Sequence, residues 1–151
     1  MLSARKVVGA MCSECLTKAK MLLDKTDNTC VLCGGRVILT ENRRGVRPLL
    51  DLVENDVDVA GFAAADKVVG KAAAFLYCLM GINCLYAKTL SQPALAVLQQ
   101  AGIVIEYDQL VPAIQNRTGD GLCPMESAVW NIDDAHEALA AIQKTLGNLT
   151  K

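Results

Sequence analysis

Apolar and polar residues are spaced along the first forty positions in a way that predicts a helix followed by a β-hairpin. From Ser3 to Asp24, apolar residues recur every three or four positions, which is the spacing of one helix face. Two short β-prone runs, 29–33 and 36–40, flank the pair Gly34-Gly35. Two glycines between such runs favour a tight hairpin turn. The chain is therefore predicted to begin with a helix and an antiparallel strand pair.

After residue 57, short apolar runs alternate with helical segments. The predicted strands are 58–65, 83–88 and 103–107. The predicted longer helices are 48–55, a helix that begins near Asp66 and ends before Gly81, 92–101, and a last helix that ends at Gly147. Two shorter helical pieces are predicted at 110–114 and after Cys123. Strand–helix alternation implies parallel crossovers. The predicted fold is an α/β, three-layer α/β/α sandwich with a mixed sheet. Residues 1–25 are expected to form an N-terminal helix packed on a single domain of residues 26–151.

Composition and charge narrow the classes of function. The 151 residues carry a formal net charge of −1, which argues against the basic surface that nucleic-acid binding needs. The longest apolar stretch, 72–80, is too short to span a bilayer, so no membrane partner is expected. Seven cysteines without an export signal indicate a cytoplasmic, reducing location, with free thiols or metal ligands rather than disulfides.

The segment 85–103 resembles the second half of the cytidine-deaminase core. In that family a strand leads into Pro-Cys-x-x-Cys and then a helix that ends in Ala-Gly-Ile, and an upstream segment, here 63–80, carries His-x-Glu or Cys-x-Glu. Those residues hold a catalytic zinc and move protons. In this chain the two motifs are replaced by Ala-Asp-Lys or Asp-Lys-Val at 65–68 and by Ser-Gln-Pro-Ala at 91–94, and the only histidine is His136. Conventional zinc deamination is therefore not expected, and no cofactor is predicted.

Four further strings are similar to the family called domain of unknown function 1893. They are Gly-Val-Arg-Pro-Leu-Leu at 45–50, Ala-Asp-Lys-Val-Val-Gly-Lys-Ala-Ala-Ala at 65–74, Asn-Arg at 116–117 and Leu-Cys-Pro-Met-Glu at 122–126. The resemblance covers roughly residues 22–142. It implies a deaminase-like fold with a candidate cleft, in a bacterial and archaeal family without an established reaction.

Polar residues at two predicted helix starts indicate a ligand site. Asp66 is predicted to cap its helix, Lys67 and Lys71 are four residues apart on one predicted helix face, and Ser91 is predicted to cap the next helix. Open α/β sheets bind ligands at the carboxyl ends of strands, and helix N-termini attract anions. For Asp66 and the two lysines, the alternative is an ordinary helix cap followed by solvated lysines. For Ser91 the alternative is a simple N-cap, and for this residue we favour the alternative.

A second group surrounds Cys123. A cysteine just before a helix can be nucleophilic, and with Glu126 and Asp66 it could also hold a cation. The alternative is a buried small side chain, with Glu126 as its capping-box partner. Asn116 and Arg117 lie nearby in sequence, where Arg117 would bind an anion or pair with Glu126.

A third group is formed by cysteines in the first thirty-three residues. Cys12, Cys15, Cys30 and Cys33 match a four-cysteine zinc pattern. Against it, Cys30 and Cys33 are three residues apart on a predicted strand, so their side chains should point to opposite faces.

The leading hypothesis is a small anionic or nucleotide-like ligand bound at the starts of the two core helices. If the chain is an enzyme, which the sequence leaves open, Cys123 is the expected nucleophile, Asp66 a proton acceptor and Lys67 an electrostatic stabiliser. Ligand binding is assigned to the other polar residues of these groups: Lys71, Ser91, Asn116, Arg117 and Glu126. The alternatives are a metal-binding or redox-sensing module using the cysteine pairs and a non-catalytic regulatory domain. An Ala-rich helix face is compatible with a homodimer.

Overall fold

The described part of the chain folds into five strands and the helices that cover them. A computed structural model of the chain describes residues 2–25 and 27–149, with side chains described for 13–25 and 27–148. The described elements, in chain order, are α1 (Leu2–Lys25), β1 (Cys30–Gly34), β2 (Val37–Glu41), α2 (Arg47–Glu54), β3 (Ala63–Val69), α3 (Lys71–Met80), β4 (Cys84–Ser91), α4 (Gln92–Gln100), β5 (Val104–Val111), α5 (Pro124–Val129) and α6 (Ala135–Leu149).

The strands form one mixed sheet in the order β2-β1-β3-β4-β5. Strand β1 is antiparallel to both β2 and β3, whereas β3, β4 and β5 are parallel. The hairpin turn passes through Gly35, whose φ of +58° is the left-handed conformation that glycine adopts without strain. The expected antiparallel start and mixed α/β sheet are confirmed.

Helix α1 covers one face of the sheet, and the larger core lies on the other. Val31 and Cys33 of β1 pack with Ala19 of α1, whereas Cys30 and Leu32 belong to the core built with the later helices. Since neighbouring residues of a strand point to opposite faces, these two clusters lie on opposite sides of the sheet. In the described part of the chain, no helix has both the length and the apolarity needed to cross a membrane.

Helix α3 is central to the larger core and carries three consecutive buried alanines, Ala72, Ala73 and Ala74. It packs against α2, α4, α5 and α6, and Tyr77 is its largest fully buried side chain. These small side chains allow the neighbouring helices to approach closely. Because Tyr77 is buried in this close packing, its side chain has a well-defined position. Gly81, at φ +72°, ends the helix as predicted.

Two predicted helix boundaries are wrong, and the sheet explains both. Asp66 does not begin a helix, because the ladder between β3 and β4 continues to the pair Val69–Leu90 and α3 begins only at Lys71. The predicted helical piece at 110–114 is instead partly strand, since β5 pairs with β4 up to Val111. In both places, hydrogen bonds to a neighbouring strand override the local pattern.

Candidate functional site

A cavity of about 430 Å³ opens at the carboxyl end of β3, beside the start of α3. We call it the cleft cavity. Most of its wall is apolar, with a few polar groups. It is lined by Thr29, Cys30, Arg44, Gly45, Val46, Pro48, Leu49, Asp66, Lys67, Val68, Gly70, Ala72, Ala73, Ile114, Cys123, Met125 and Glu126.

The most unusual wall group is the Asp66 carboxyl, which is only 9% exposed. Its Oδ2 accepts a 2.6 Å hydrogen bond from the hydroxyl of Tyr77, and its Oδ1 accepts one from the backbone N–H of Val68 at 3.3 Å. The Tyr77 hydroxyl also lies 3.2 Å from the Cys30 Sγ. A carboxyl, a phenol and a thiol therefore form one buried chain, which we call the Asp66 relay.

Burial sets the protonation of the Asp66 relay. Loss of hydration raises the pKa of Asp66 to about 6, although hydrogen bonds from Tyr77 and from the backbone oppose the rise. Burial and the nearby carboxyl also raise the pKa values of Tyr77 and Cys30 well above their ordinary range. Tyr77 and Cys30 therefore stay protonated near neutral pH, while Asp66 changes between its protonated and ionised forms at a pH near 6.

Glu126 joins the start of α3 to the segment after β5. It is 1% exposed; its Oε1 accepts from the Lys71 backbone N–H at 2.6 Å, and its Oε2 accepts from the Ile114 N–H at 2.8 Å. The capping-box prediction is wrong, because the N–H of Cys123 donates to the Ile114 carbonyl instead. With both carboxylate oxygens occupied by donors, Glu126 positions the cavity wall and is poorly placed to bind a cation. Across residues with described side chains, no cluster of three or more metal-ligating groups occurs.

The start of α3 presents backbone donors to the cleft cavity. Its N-cap, Gly70, has no side chain, and the Lys71 N–H is taken by Glu126. Ala72 and Ala73 both line the cavity, and their N–H groups have no acceptor in the described chain. Such free N–H groups favour an anion.

Two cations at the cavity, Arg44 and Lys67, offset the two carboxyl groups of its wall. They also provide charged contacts for an anion at the start of α3. Neither forms an ion pair with any residue whose side chain is described. Arg44 is exposed and Lys67 is half-buried, so both are free to turn toward a bound molecule.

The structure brings four of the predicted site residues together and separates the others from them. Asp66, Lys67, Cys123 and Glu126 all line the cleft cavity. Ser91 does not: it is fully buried, and its Oγ accepts from the Ala94 N–H at 3.2 Å, which confirms it as an N-cap.

The other three predicted ligand residues, Lys71, Asn116 and Arg117, do not line the cleft cavity. The Lys71 ammonium donates to the Trp130 carbonyl at 2.9 Å and faces a different cavity. The Asn116 Oδ1 accepts from the N–H groups of Gly119 and Asp120, so it stabilises its own turn. Arg117 is exposed and forms no ion pair among the described side chains.

The predicted cysteine quartet does not converge on one point. Cys30 contacts Tyr77 in the larger core, while Cys33 packs under α1 near Cys15, as the alternation along β1 requires. The Cys12 side chain lies outside the described residues. Cysteines with free thiols are Cys15, Cys30, Cys33, Cys78 and Cys123. Cys84 is disulfide-bonded, so the expectation of unpaired thiols does not hold there.

Sequence reasoning missed the Asp66 relay, in which the Tyr77 hydroxyl contacts both Asp66 and Cys30. One signal was available: Asp66 ends an otherwise apolar run, and Tyr77 is the only polar aromatic residue in an Ala-rich helix. A buried carboxyl needs a donor, and a buried tyrosine hydroxyl needs an acceptor.

Comparison with known proteins gives a family but no activity. The family model TM1506, described as a domain of unknown function (DUF1893), matches residues 18–146. The fold is similar to the crystal structure of a DUF1893 family protein (TM1506) from Thermotoga maritima at 2.70 Å resolution. The two share 29% sequence identity at a TM-score of 0.81, over 87% of this chain and 89% of that one. No curated protein matches the chain. The chain belongs to the DUF1893 family.

Proposed function

We propose that this domain binds a small anionic or nucleotide-like molecule in the cleft cavity. As part of the proposal, the sheet and the helices on its two faces form a three-layer, cytidine-deaminase-like sandwich with a ligand site in place of the usual zinc. The observation that carries the proposal is the Asp66 carboxyl, buried on the wall of a mostly apolar cavity beside two unpaired cations, Arg44 and Lys67.

The cavity offers a different contact to each part of such a ligand. Val46, Leu49 and Met125 provide apolar surface for a planar ring. Asp66 accepts hydrogen bonds from ring or amino N–H groups, and its pKa of about 6 suits proton exchange with a ring nitrogen. The free N–H groups of Ala72 and Ala73, with Lys67 and Arg44, suit a phosphate or carboxylate.

Catalysis is a further part of the proposal and uses three residues of the same wall. Asp66 acts as the proton acceptor, Lys67 stabilises developing negative charge, and Cys123 is the nucleophile. Cys123 is half-buried and precedes α5 without capping it through its side chain, so its thiol is available to a ligand. Unchanged turnover in a Cys123→Ala variant would exclude the nucleophile role, and binding without turnover would make the domain regulatory.

Thermal unfolding with nucleoside monophosphates and the matching nucleosides tests the binding proposal. A ligand that binds only the folded state raises the melting temperature. We expect a nucleotide to raise it more than its nucleoside, Lys67→Gln to reduce that difference, and Asp66→Asn to reduce the response to both. Asp133→Asn, which changes an acidic residue outside the cleft cavity, serves as the control. The proposal fails if no nucleotide or other small anion stabilises the wild type.

A further inference from the structure

We infer that a second cavity binds a monoanionic carboxylate with an apolar body, and that Lys71 supplies the positive charge. This cavity, about 330 Å³ in volume, lies between α3, α4 and the start of α6, and we call it the helix groove. Its lining residues are Lys71, Phe75, Cys78, Pro93, Ala96, Val97, Gln100, Ala101, Asp133 and Ala135. None of them lines the cleft cavity.

The Lys71 side chain is charged and buried without a counter-charge. The residue is 8% exposed, and its Nζ donates to the Trp130 carbonyl at 2.9 Å, at the C-terminus of α5. No carboxylate oxygen of a described side chain lies within 4.0 Å of this ammonium. An ammonium has three N–H donors and is costly to bury unpaired. One neutral carbonyl leaves it able to bind an anion.

The rest of the helix groove suits an apolar body. Lys71, Phe75 and Cys78 follow one face of α3, and the lining residues of α4 also share one face, since they are spaced by three or four positions. Both helices follow parallel strands and so run in the same direction. Lys71 and Pro93 therefore lie at one end of the groove, and Cys78 and Gln100 lie at the other. The result is an apolar strip with one buried cation at its end.

The charges around the groove favour a single negative charge on the ligand. Lys71 is the single cation among the lining residues, so a second negative charge on the ligand would have no partner in the groove. It would also face Asp133, an exposed acidic residue of the same wall. The Phe75 ring lies 5.7 Å from the Lys71 Nζ, close to where the ligand head and body would meet. A carboxylate attached to a ring or a short alkyl chain fits this combination better than a phosphate does.

Titration with benzoate and hexanoate, each compared with its neutral amide, tests the inference. Ligand-observed NMR should show the carboxylates bound to the wild type and the amides unbound. Lys71→Met keeps the methylene stem, removes the charge and should weaken binding at least about tenfold. Ala96→Phe changes an exposed position on the groove wall and should weaken binding by filling the space. Val68→Phe, which fills space at an exposed position on the wall of the cleft cavity, should leave it unchanged.

The inference is overturned if no carboxylate binds to the wild type, if acid and amide bind equally, or if both groove variants keep wild-type affinity. Lys71→Met also removes the bond to Trp130, so its folding is checked by circular dichroism. If it does not fold, Ala96→Phe with the paired acids and amides decides the question. Loss of carboxylate binding in Val68→Phe would place the ligand in the cleft cavity instead, and would also count against the inference.

Discussion

The hydroxyl of Tyr77 donates a 2.6 Å hydrogen bond to the Asp66 carboxyl across the interface between α3 and β3. Both side chains are buried, and the same hydroxyl lies 3.2 Å from the Cys30 thiol. The bond fixes one oxygen of Asp66 against the core, so the orientation of this carboxyl toward the cleft cavity does not depend on a ligand. A preoriented carboxyl loses less entropy when it binds a ligand.

The raised pKa of Asp66 makes stability depend on pH. Because its pKa in the folded state is about 6, against an ordinary value of 3.8, folding favours the protonated form. The resulting stabilisation is complete below pH 3.8 and is lost as the pH rises through about 6, with a total of about 3 kcal/mol.

Urea denaturation of the wild type and of Asp66→Asn measures this effect. Subtracting the two free energies of unfolding at each pH removes the contributions of the other titrating groups. The wild type should lose stability relative to the neutral asparagine variant as the pH rises from about 4 to about 8. A difference that stays constant over this range would show that Asp66 titrates normally.

Removing the Tyr77 hydroxyl should shift the same titration upward. In Tyr77→Phe the carboxyl loses a donor that favours its charged form, so the pKa of Asp66 should rise above about 6. The free energy of unfolding at neutral pH should fall by about 1–3 kcal/mol. Infrared or NMR titration of the carboxyl gives the pKa, and Tyr107→Phe, at an exposed position, is the matched control. An unchanged carboxyl titration in Tyr77→Phe would contradict this account.

Glu126 should contribute strongly to stability because its carboxylate satisfies two backbone donors. Glu126→Ala leaves the N–H groups of Lys71 and Ile114 without partners and should cost at least about 2 kcal/mol. Glu126→Gln keeps one acceptor oxygen and should cost less. Chemical denaturation measures both, and Glu137→Ala on the exposed surface of α6 is the control. Equal stability of the Glu126→Ala and Glu137→Ala variants would mean that solvent replaces the lost carboxylate.

The features predicted correctly depend on local chemistry. Ser91 caps its helix and Gly81 ends another because each needs only its immediate neighbours. The glycine pair at 34–35 likewise predicts a hairpin without knowledge of the rest of the sheet.

The incorrect predictions involve partners distant in sequence. Aspartate is a residue type that often caps helices. The Asp66 carboxyl instead accepts a hydrogen bond from Tyr77, eleven residues later on another element. Lys71 was assigned to the same site as Lys67, yet β3 continues to Val69, so the two lysines share no helix face. A single sequence shows neither where the strand ladder ends nor which buried group supplies a hydrogen bond.

Thiol reactivity should distinguish the two cysteines that line the cleft cavity, Cys123 and the Cys30 of the Asp66 relay. Cys123 is half-buried, whereas Cys30 is 4% exposed and its pKa is raised by burial and by the charge of Asp66. Since the thiolate is the reactive form, iodoacetamide should modify Cys123 well before Cys30. Peptide mass spectrometry measures the extent of modification at both cysteines.

A cleft ligand should protect Cys123 from modification but not Cys78, the half-buried cysteine of the helix groove. Cys30 reacting first would contradict the buried relay.

Two glycine-to-alanine substitutions should have opposite effects on stability. At Gly70, an added Cβ would lie 3.0 Å from both the Glu126 Oε1 and the Ile114 Cγ1, so Gly70→Ala should push the carboxylate away from the Lys71 N–H. This should cost about 1–3 kcal/mol. At Gly147, inside α6, an added Cβ meets no described atom within 4 Å. Gly147→Ala should therefore stabilise by up to about 1 kcal/mol.

The melting temperatures of these two variants, measured beside the wild type, test how rigid the wall at Gly70 is. Gly70 has an extended backbone that alanine adopts easily, so any loss comes from the contact with Glu126 and Ile114 and not from strain. In a Glu126→Gln background the wall is already loosened, and the cost of Gly70→Ala should fall. The same cost in both backgrounds would show that Glu126 does not limit the space at the start of α3.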